Sequence, residues 1–425
     1  MKKITKKLVA SRLAKKVQKL LKNNDITVII VTGSVGKTST KVAIGKLLST
    51  EHQVQFSEDS YNTDIGLPLS FFGLKAPSPL WDPLAWKRIF QKIDATSKYY
   101  PYDVVVLEMA DDELEDMLKL LEFIKPKYGV ITGIAPVHME RMISMNKVVR
   151  DNWEIAKTSD VVFYNTENED LYKLASKSKK SIGFGMNKGK LKFSNIKRST
   201  KGYLEGNMNL AGSKIDVKTK MIGKHNLNSL LAAAGVAQAM GMNEKDIAKG
   251  VSSIAGVNGR MKLLRGKNGS QIIDDSYNSS PDAVISALSV LKEFSSKNKI
   301  AVLGNMNELG DESKDAHYKI GKAAATVADM LIVIGKDAEV YTVSGAKDAG
   351  MNPDNIKIFK TPYEIGHFLK RIIEKGDLVL VKGSQNGVFS EEVVRILLDP
   401  SLDAKDYVVR QSKGWKRKKR KAFGL

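Results

Sequence analysis

The 425-residue chain contains no cysteine. Disulfide cross-links and thiolate metal sites are thereby excluded, and a reducing compartment is the natural setting. No apolar run approaches the ~18 residues that cross a bilayer. The basic N-terminus lacks the apolar stretch of a secretory signal. A soluble, cytoplasmic protein is the expectation. Acidic residues are missing from both ends: residues 1–22 hold nine Lys/Arg, residues 413–425 hold seven, and neither segment has Asp or Glu. Sixteen of the +21 net charges therefore sit in two terminal arms, and the body is close to balanced. Such a body offers no basic surface for nucleic acid.

The length asks for two or three domains. Val9, Leu13, Val17 and Leu20 recur at helical spacing with Lys and Arg opposite, so residues 1–24 form a basic amphipathic helix. From residue 25 strands alternate with helices. "ITVIIVT", "YDVVVLEM" and "YGVITGI" are continuous apolar runs typical of buried parallel strands. Residues 182–222 break into short alternating pieces and predict antiparallel hairpins. After "GVNGR" (256–260) a second series follows, with "QIIDD", "KIAVLG", "MLIVIG" and "DLVLVKG" as strands. The predicted boundaries are 25–258, 259–398 and a basic tail at 399–425.

In "VIIVTGSVGKTST" an apolar strand runs into a glycine loop and then a helix start. The common phosphate loop has an earlier Gly where this chain has Val31. Thr32, Gly33, Ser34, Val35, Gly36, Lys37, Thr38 and Ser39 form the candidate nucleotide-binding stretch. Its backbone N–H groups would face an anion, Lys37 would reach outer phosphates, and the Thr38 hydroxyl would bind Mg²⁺. A plain glycine turn with a solvated Lys37 is the bland alternative. Glu108 and His138 lie at the C-terminal edges of two strands, where open α/β sheets bind ligands. Together they could complete a metal site; alone, His138 reads as a loop residue bonded to a backbone carbonyl. The fold class is α/β: a P-loop-type central ATPase domain with a parallel sheet, then a Rossmann-like α/β domain.

"TGSVGKTS", "NTDIGLPLS" (62–70), "LEMA" (107–110), "GIAPVHME" (133–140), "GKHNLNSLLAAAGVA" (223–237), "GRM" (259–261), "IDDSYNSSPDA" (273–283), "VLGNMNELGDES" (302–313) and "LVKGSQ" (380–385) follow one another in a distinctive order. In these stretches the chain resembles the Mur ligases, ATP-dependent amide-forming enzymes of cell-wall precursor synthesis. The D-S-Y-N-x-x-P and L-G-x-M-x-E-L-G stretches are similar to the subgroup that adds D-alanyl-D-alanine. The resemblance implies ATP and Mg²⁺, a carboxylate acceptor from peptidoglycan synthesis, an amino acid or dipeptide as the amine, and an acyl-phosphate intermediate. It implies catalytic roles for Lys37, Glu108, His138 and Arg260, with Thr38, Glu108 and His138 as metal ligands. His225, Asn226 and Asn228 would lie by the adenine, Asp275 by the ribose, and Arg260 on phosphate across the domain boundary. Asn62, Thr63, Tyr277, Asn278 and Lys382 would line the substrate sites. His317 matches a family position but reads as a solvated helix-surface residue.

Three departures qualify the resemblance. About 25 residues precede the first strand, too few for the UDP-sugar domain found in the subgroup. Asn152 stands where the family carries a carbamylated Lys, with Glu154 in register and Lys157 out of it. Ser229 and Asn305 replace a motif Asn and Asp. Two other functions are open: a folylpolyglutamate-type ligase on a different acceptor, and a non-catalytic nucleotide-binding scaffold. The terminal arms predict peripheral binding to an anionic membrane. The alternative is that Val9, Leu13, Val17 and Leu20 dock on the ATPase domain while the tail is solvated.

Overall fold

The computed structural model describes residues 3–58, 63–77, 79–109, 114–134, 145–210, 212–385 and 387–424. The first sheet has nine strands: β1 (Thr27–Thr32), β2 (Val54–Gln55), β3 (Val104–Glu108), β4 (Tyr128–Ile131), β5 (Val161–Asn165), β6 (Ser181–Gly185), β7 (Leu191–Arg198), β8 (Leu204–Leu210) and β9 (Ser213–Lys218). Their order is β2-β3-β1-β4-β5-β6-β7-β8-β9. β1 is central because both its faces are apolar. Ile29 and Val31 enter one core, Val28 and Ile30 the other, at the two-residue period of a strand. The chain runs from β1 outward to β2, returns through β3, and crosses to β4 on the other side. The end of β1 is thus a topological switch point, where a crevice opens.

The hairpin expectation for 182–222 holds only for β7, β8 and β9, which pair antiparallel. β6 pairs parallel with β5, because the helix Glu169–Ala175 provides a crossover, and it meets β7 in parallel over two residue pairs.

The second sheet contains β10 (Lys262–Arg265), β11 (Gln271–Asp275), β12 (Lys299–Gly304), β13 (Met330–Ile334), β14 (Ile356–Phe359) and β15 (Leu378–Lys382). Its order is β10-β11-β15-β12-β13-β14, all parallel except the β10–β11 hairpin. The sequence pattern marks β11, β12, β13 and β15; the short edge strands β10 and β14 escape it.

The N-terminal helix docks on the first domain, the second of the two readings given for it, while the tail helix buries one cation and leaves the other six exposed. The helix Lys3–Asn23 buries Leu13, Val17 and Leu20 against Leu67, Phe71 and Phe90 of the first domain. Each such side chain contributes about 1.5–3 kcal/mol of burial, so the helix's apolar stripe is used by the protein itself. At the other end, the helix Lys413–Ala422 sends Lys419 wholly inside, 2.9 Å from Glu391 and 2.7 Å from Glu392. Among the described residues no helix is long and apolar enough to cross a membrane.

Candidate active site

The loop between β1 and the helix Lys37–Leu48 needs its glycines. Gly33 has φ 130° and Gly36, the helix N-cap, has φ 87°, regions that cost a side-chain-bearing residue dearly. Ser34 and Val35 donate their N–H groups to the Gly133 carbonyl (2.9 and 3.0 Å), pinning the loop to the end of β4. No side chain caps the helix, so its N-terminus presents backbone donors and the positive end of its dipole at the switch point. The Lys37 ammonium folds over this loop onto the carbonyls of Gly33 and Ser34.

The next residue, Thr38, forms a junction. Its hydroxyl donates to Glu108 Oε2 at 3.0 Å and accepts from Arg260 Nη2 at 3.4 Å. Glu108 ends β3, level with Val31 of β1 in the sheet register. Arg260 arrives from the second domain. Lys41, four residues after Lys37 on the same helix face, sits 3.0 Å from Glu108 Oε2, both side chains about 3% exposed. Sequence reasoning missed Lys41; its spacing from Lys37, in a helix otherwise apolar on that side, is the signal that could have found it.

Asn152 lies beneath the loop and is fully buried. It accepts a hydrogen bond from the Thr32 hydroxyl (2.7 Å) and donates to the Val148 carbonyl (2.8 Å). It thereby ties the helix Met145–Ala156 to the last residue of β1. Lys157 pairs with Glu154 at 2.6 Å, both roughly half exposed, at the surface. His138 and Asn62 lie outside the described residues.

On the other side of the loop, Thr40 Oγ1 bonds Ser229 Oγ at 2.9 Å, so the phosphate-loop helix is locked to the helix Leu227–Ala239. Asn226 and Asn228 flank the start of that helix. A narrow pocket lined by Ser39, Asn226, Ser229, Gly256 and Arg260 has about 10 Å³ of water-sized space. His225 is exposed at the surface, within electrostatic reach of Asp275 and Lys382 of the second domain. Desolvation there holds its imidazole pKa below the ordinary value, against the opposing pull of Asp275.

The second domain contributes Asp275, which accepts from Met261 N–H (3.0 Å) and from Lys382 Nζ (2.6 Å). Lys382 is itself buried and donates again to the Asn278 carbonyl (3.0 Å). Its ammonium is thus engaged inside the domain. Tyr277 carries the Arg260 guanidinium over its ring at 4.2 Å. Thr63 accepts from Gly66 N–H at 3.0 Å and opens the helix Gly66–Ser70. His317 corrects its expected solvation. It is buried, accepts from Met306 N–H on Nε2 (3.0 Å) and bonds the Ser313 carbonyl through Nδ1 (2.8 Å). Asn305 accepts from Ala338 N–H at 2.9 Å and shapes the same region.

The arrangement fits a nucleotide with a divalent cation on two observations. Ser34 Oγ, Asn226 Nδ2, Asn228 Oδ1 and Arg260 Nε are buried polar atoms without a protein partner, and such atoms call for a polar ligand. Thr38 and Glu108 offer the hard oxygen donors that Mg²⁺ takes, with water completing its shell.

Comparison with known proteins identifies relatives of the chain. The family model for the Mur ligase middle domain matches residues 83–237, and that for the Mur ligase glutamate ligase domain matches residues 259–385. The UDP-N-acetylmuramoyl-tripeptide–D-alanyl-D-alanine ligase of Bacillus subtilis is 26% identical over 380 residues, covering 88% of this chain and 76% of that protein. The Escherichia coli enzyme of the same name is also 26% identical, covering 87% and 76%. Among solved structures, the MurF ligase of Thermotoga maritima in complex with ADP superposes with a TM-score of 0.74 at 26% identity, covering 91% of this chain and 83% of that one.

Proposed function

We propose that this chain, which belongs to the Mur ligase family, joins an amine to a substrate carboxylate at the expense of ATP, with D-alanyl-D-alanine as the amine and a peptidoglycan-precursor tripeptide as the acceptor. One observation carries the reading: the Thr38 hydroxyl meets Glu108 and Arg260, so groups from two domains converge on the phosphate loop. The names of the relatives and the "DSYNSSP" stretch support the choice of substrates.

In the proposed reaction a carboxylate oxygen takes the γ-phosphoryl group and ADP leaves. The amine nitrogen then attacks the acyl carbon, the C–O bond to phosphate breaks, and the nitrogen gives up a proton. Lys37 and Arg260 neutralise charge on the transferring group from opposite sides of the cleft. Thr38 and Glu108 would hold Mg²⁺, which would supply Lewis-acid neutralisation of phosphate oxygens. Lys41 keeps the Glu108 carboxylate aimed at Thr38. Asp275 retains lone pairs for a ribose hydroxyl beside its two present donors. ATP as substrate makes the cytoplasm the site of action. The basic arms enter as packing elements rather than as a membrane surface.

The test is phosphate release from ATP with UDP-N-acetylmuramoyl-tripeptide plus D-alanyl-D-alanine, against folate plus glutamate. Release that needs both peptidoglycan substrates, with the pentapeptide as product, is expected. Release with folate and glutamate would move the acceptor. Release with neither would refute the ligase reading.

A further inference from the structure

The C-terminal segment runs back to the domain junction and reaches the ring of Tyr277. Asn258 Nδ2 donates to the Asp406 carbonyl at 2.8 Å, and Lys262 lies over the Tyr407 ring at 5.1 Å. Gly259 has φ 71°, and a Cβ there would stand 3.2 Å from Tyr277 and 3.3 Å from Val409. Hinge, tail and Tyr277 are therefore in close contact with little slack. The next residue, Arg410, has the left-handed φ of 59°. A non-glycine residue stays in that region only where its surroundings over-determine it.

Those surroundings are specific. Arg410 Nη2 donates to the Tyr277 carbonyl at 2.7 Å, and Nη1 reaches Glu391 at 3.4 Å. The Arg410 guanidinium covers the Tyr277 ring at 4.7 Å, and the same ring carries Arg260 at 4.2 Å. Glu391 is held in turn by the buried Lys419 of the tail helix. A continuous line of contacts leads from the tail helix through Glu391, Arg410, Tyr277 and Arg260 to the Thr38 hydroxyl.

We propose that Arg410 is a positioning residue of the active site: it fixes Tyr277 and, through that ring, sets the Arg260 guanidinium against the phosphate loop. The inference rests on the reading of that loop as an ATP site. Arg260 is long and flexible, and its Nε has no protein partner. A fixed aromatic platform reduces the freedom it must lose on meeting phosphate. A planar guanidinium can stack on Tyr277 and bond its carbonyl at once, which an ammonium cannot reproduce.

The test is a double-mutant cycle on Mg-ATP affinity, measured by calorimetry on the full chain, with thermal unfolding to confirm that each variant folds. Arg410→Ala weakens binding about tenfold, Arg260→Ala by a similar factor, and the double variant binds no more than about twofold worse than Arg260→Ala. Arg410→Lys, which keeps the charge but loses the stack, falls between wild type and Arg410→Ala. Should Arg410→Ala fail to fold, the same cycle is run with Arg410→Lys. A purely structural role gives losses that multiply in the double variant, and that result overturns the proposal, as does wild-type affinity in Arg410→Ala. A wild-type chain that binds no Mg-ATP overturns the nucleotide reading and this inference with it, and the two failures are told apart by that one titration.

Discussion

Replacing Lys41 with Met should destabilise the first domain far more than an ordinary lysine substitution. Lys41 and Glu108 lie 3.0 Å apart with about 3% of each side chain exposed. Methionine keeps most of the stem's volume, so packing loss is small. The effect is then electrostatic: a carboxylate remains buried after its cation is removed. Breaking a buried pair in this way costs about 3–5 kcal/mol. For a domain of this size each kcal/mol lowers the melting temperature by about 2–4 °C, so a fall of roughly 6–20 °C is expected. Calorimetric melting of wild type, Lys41→Met, Glu108→Leu and Lys41→Met/Glu108→Leu separates the terms. The double variant replaces the whole pair by apolar groups and should melt well above the single one, because no buried charge is left over. Mg²⁺ should raise the melting point of Lys41→Met more than that of wild type, since a cation near Glu108 replaces the lost charge. A single variant melting within about 2 °C of wild type, or a double variant worse than both singles combined, would refute this account of the pair.

Lys37→Ala should lower ligation by about two to three orders of magnitude, because in the proposed reaction its charge neutralises the transferring phosphoryl group. Its melting point should stay near wild type, as Lys37 bonds only its own loop carbonyls among the contacts seen here. Asp274 is wholly buried and its carboxyl pKa is pushed up to about 6 by burial, against hydrogen bonds from Ser276 and Gly259. The folded state thus binds a proton more tightly than the unfolded one, so the contribution is full below about pH 4 and is lost as pH rises through 6. The shift from 3.8 to about 6 predicts a loss of roughly 1 kcal/mol between pH 5 and pH 7.5. Asp274→Asn should lack this fall in denaturant titrations, and an unchanged slope would count against it. His317 has the opposite sign: desolvation depresses its pKa, so its contribution is present above the ordinary value near 6.5 and is lost as pH falls. His317→Ala should cost the second domain about 2–3 kcal/mol through a cavity and an unpaired Met306 N–H, and wild-type stability in denaturant would exclude the role.

The architecture was legible because it depends on local patterns. Continuous apolar runs marked β1, β3, β4 and most strands of the second sheet, and a glycine loop after β1 marked the switch point. The parallel placement of β6 was not legible, since alternation looks the same whichever way the neighbouring strand runs. Pairings across the chain were equally hidden. Lys41 and Glu108 are 67 residues apart, Thr38 and Arg260 are 222 apart, and nothing in either local stretch announces its partner. Composition misled at the arms. A run of lysines reads as solvated, yet Lys419 is buried because two adjacent glutamates, Glu391 and Glu392, lie on the helix it packs against. His317 went astray for the same reason: helical position suggested the surface, but the loop Met306–Leu309 folds back over it.

The geometry also constrains how the site must work. The pocket between Ser39, Asn226 and Arg260 is narrow and lined from both domains. One wall belongs to the junction Gly256–Arg260, and the Arg260 head group closes the cleft on Thr38 at 3.4 Å. On the proposed reading, we expect nucleotide entry to part that junction. Opening must break the Arg260–Thr38 contact while leaving the second domain's own bonds at Gly259 and Met261, both made to β11, intact. The hinge then lies at or before Val257, and residues 259–261 travel with the second domain. Closure would then bring Arg260 back to the phosphate loop beside the bound nucleotide. The tail supports this arrangement. It is fastened to the second domain through Glu391 and to the junction through Asn258, so Tyr277 and the Arg260 stacked on it are held by contacts of that domain and its tail.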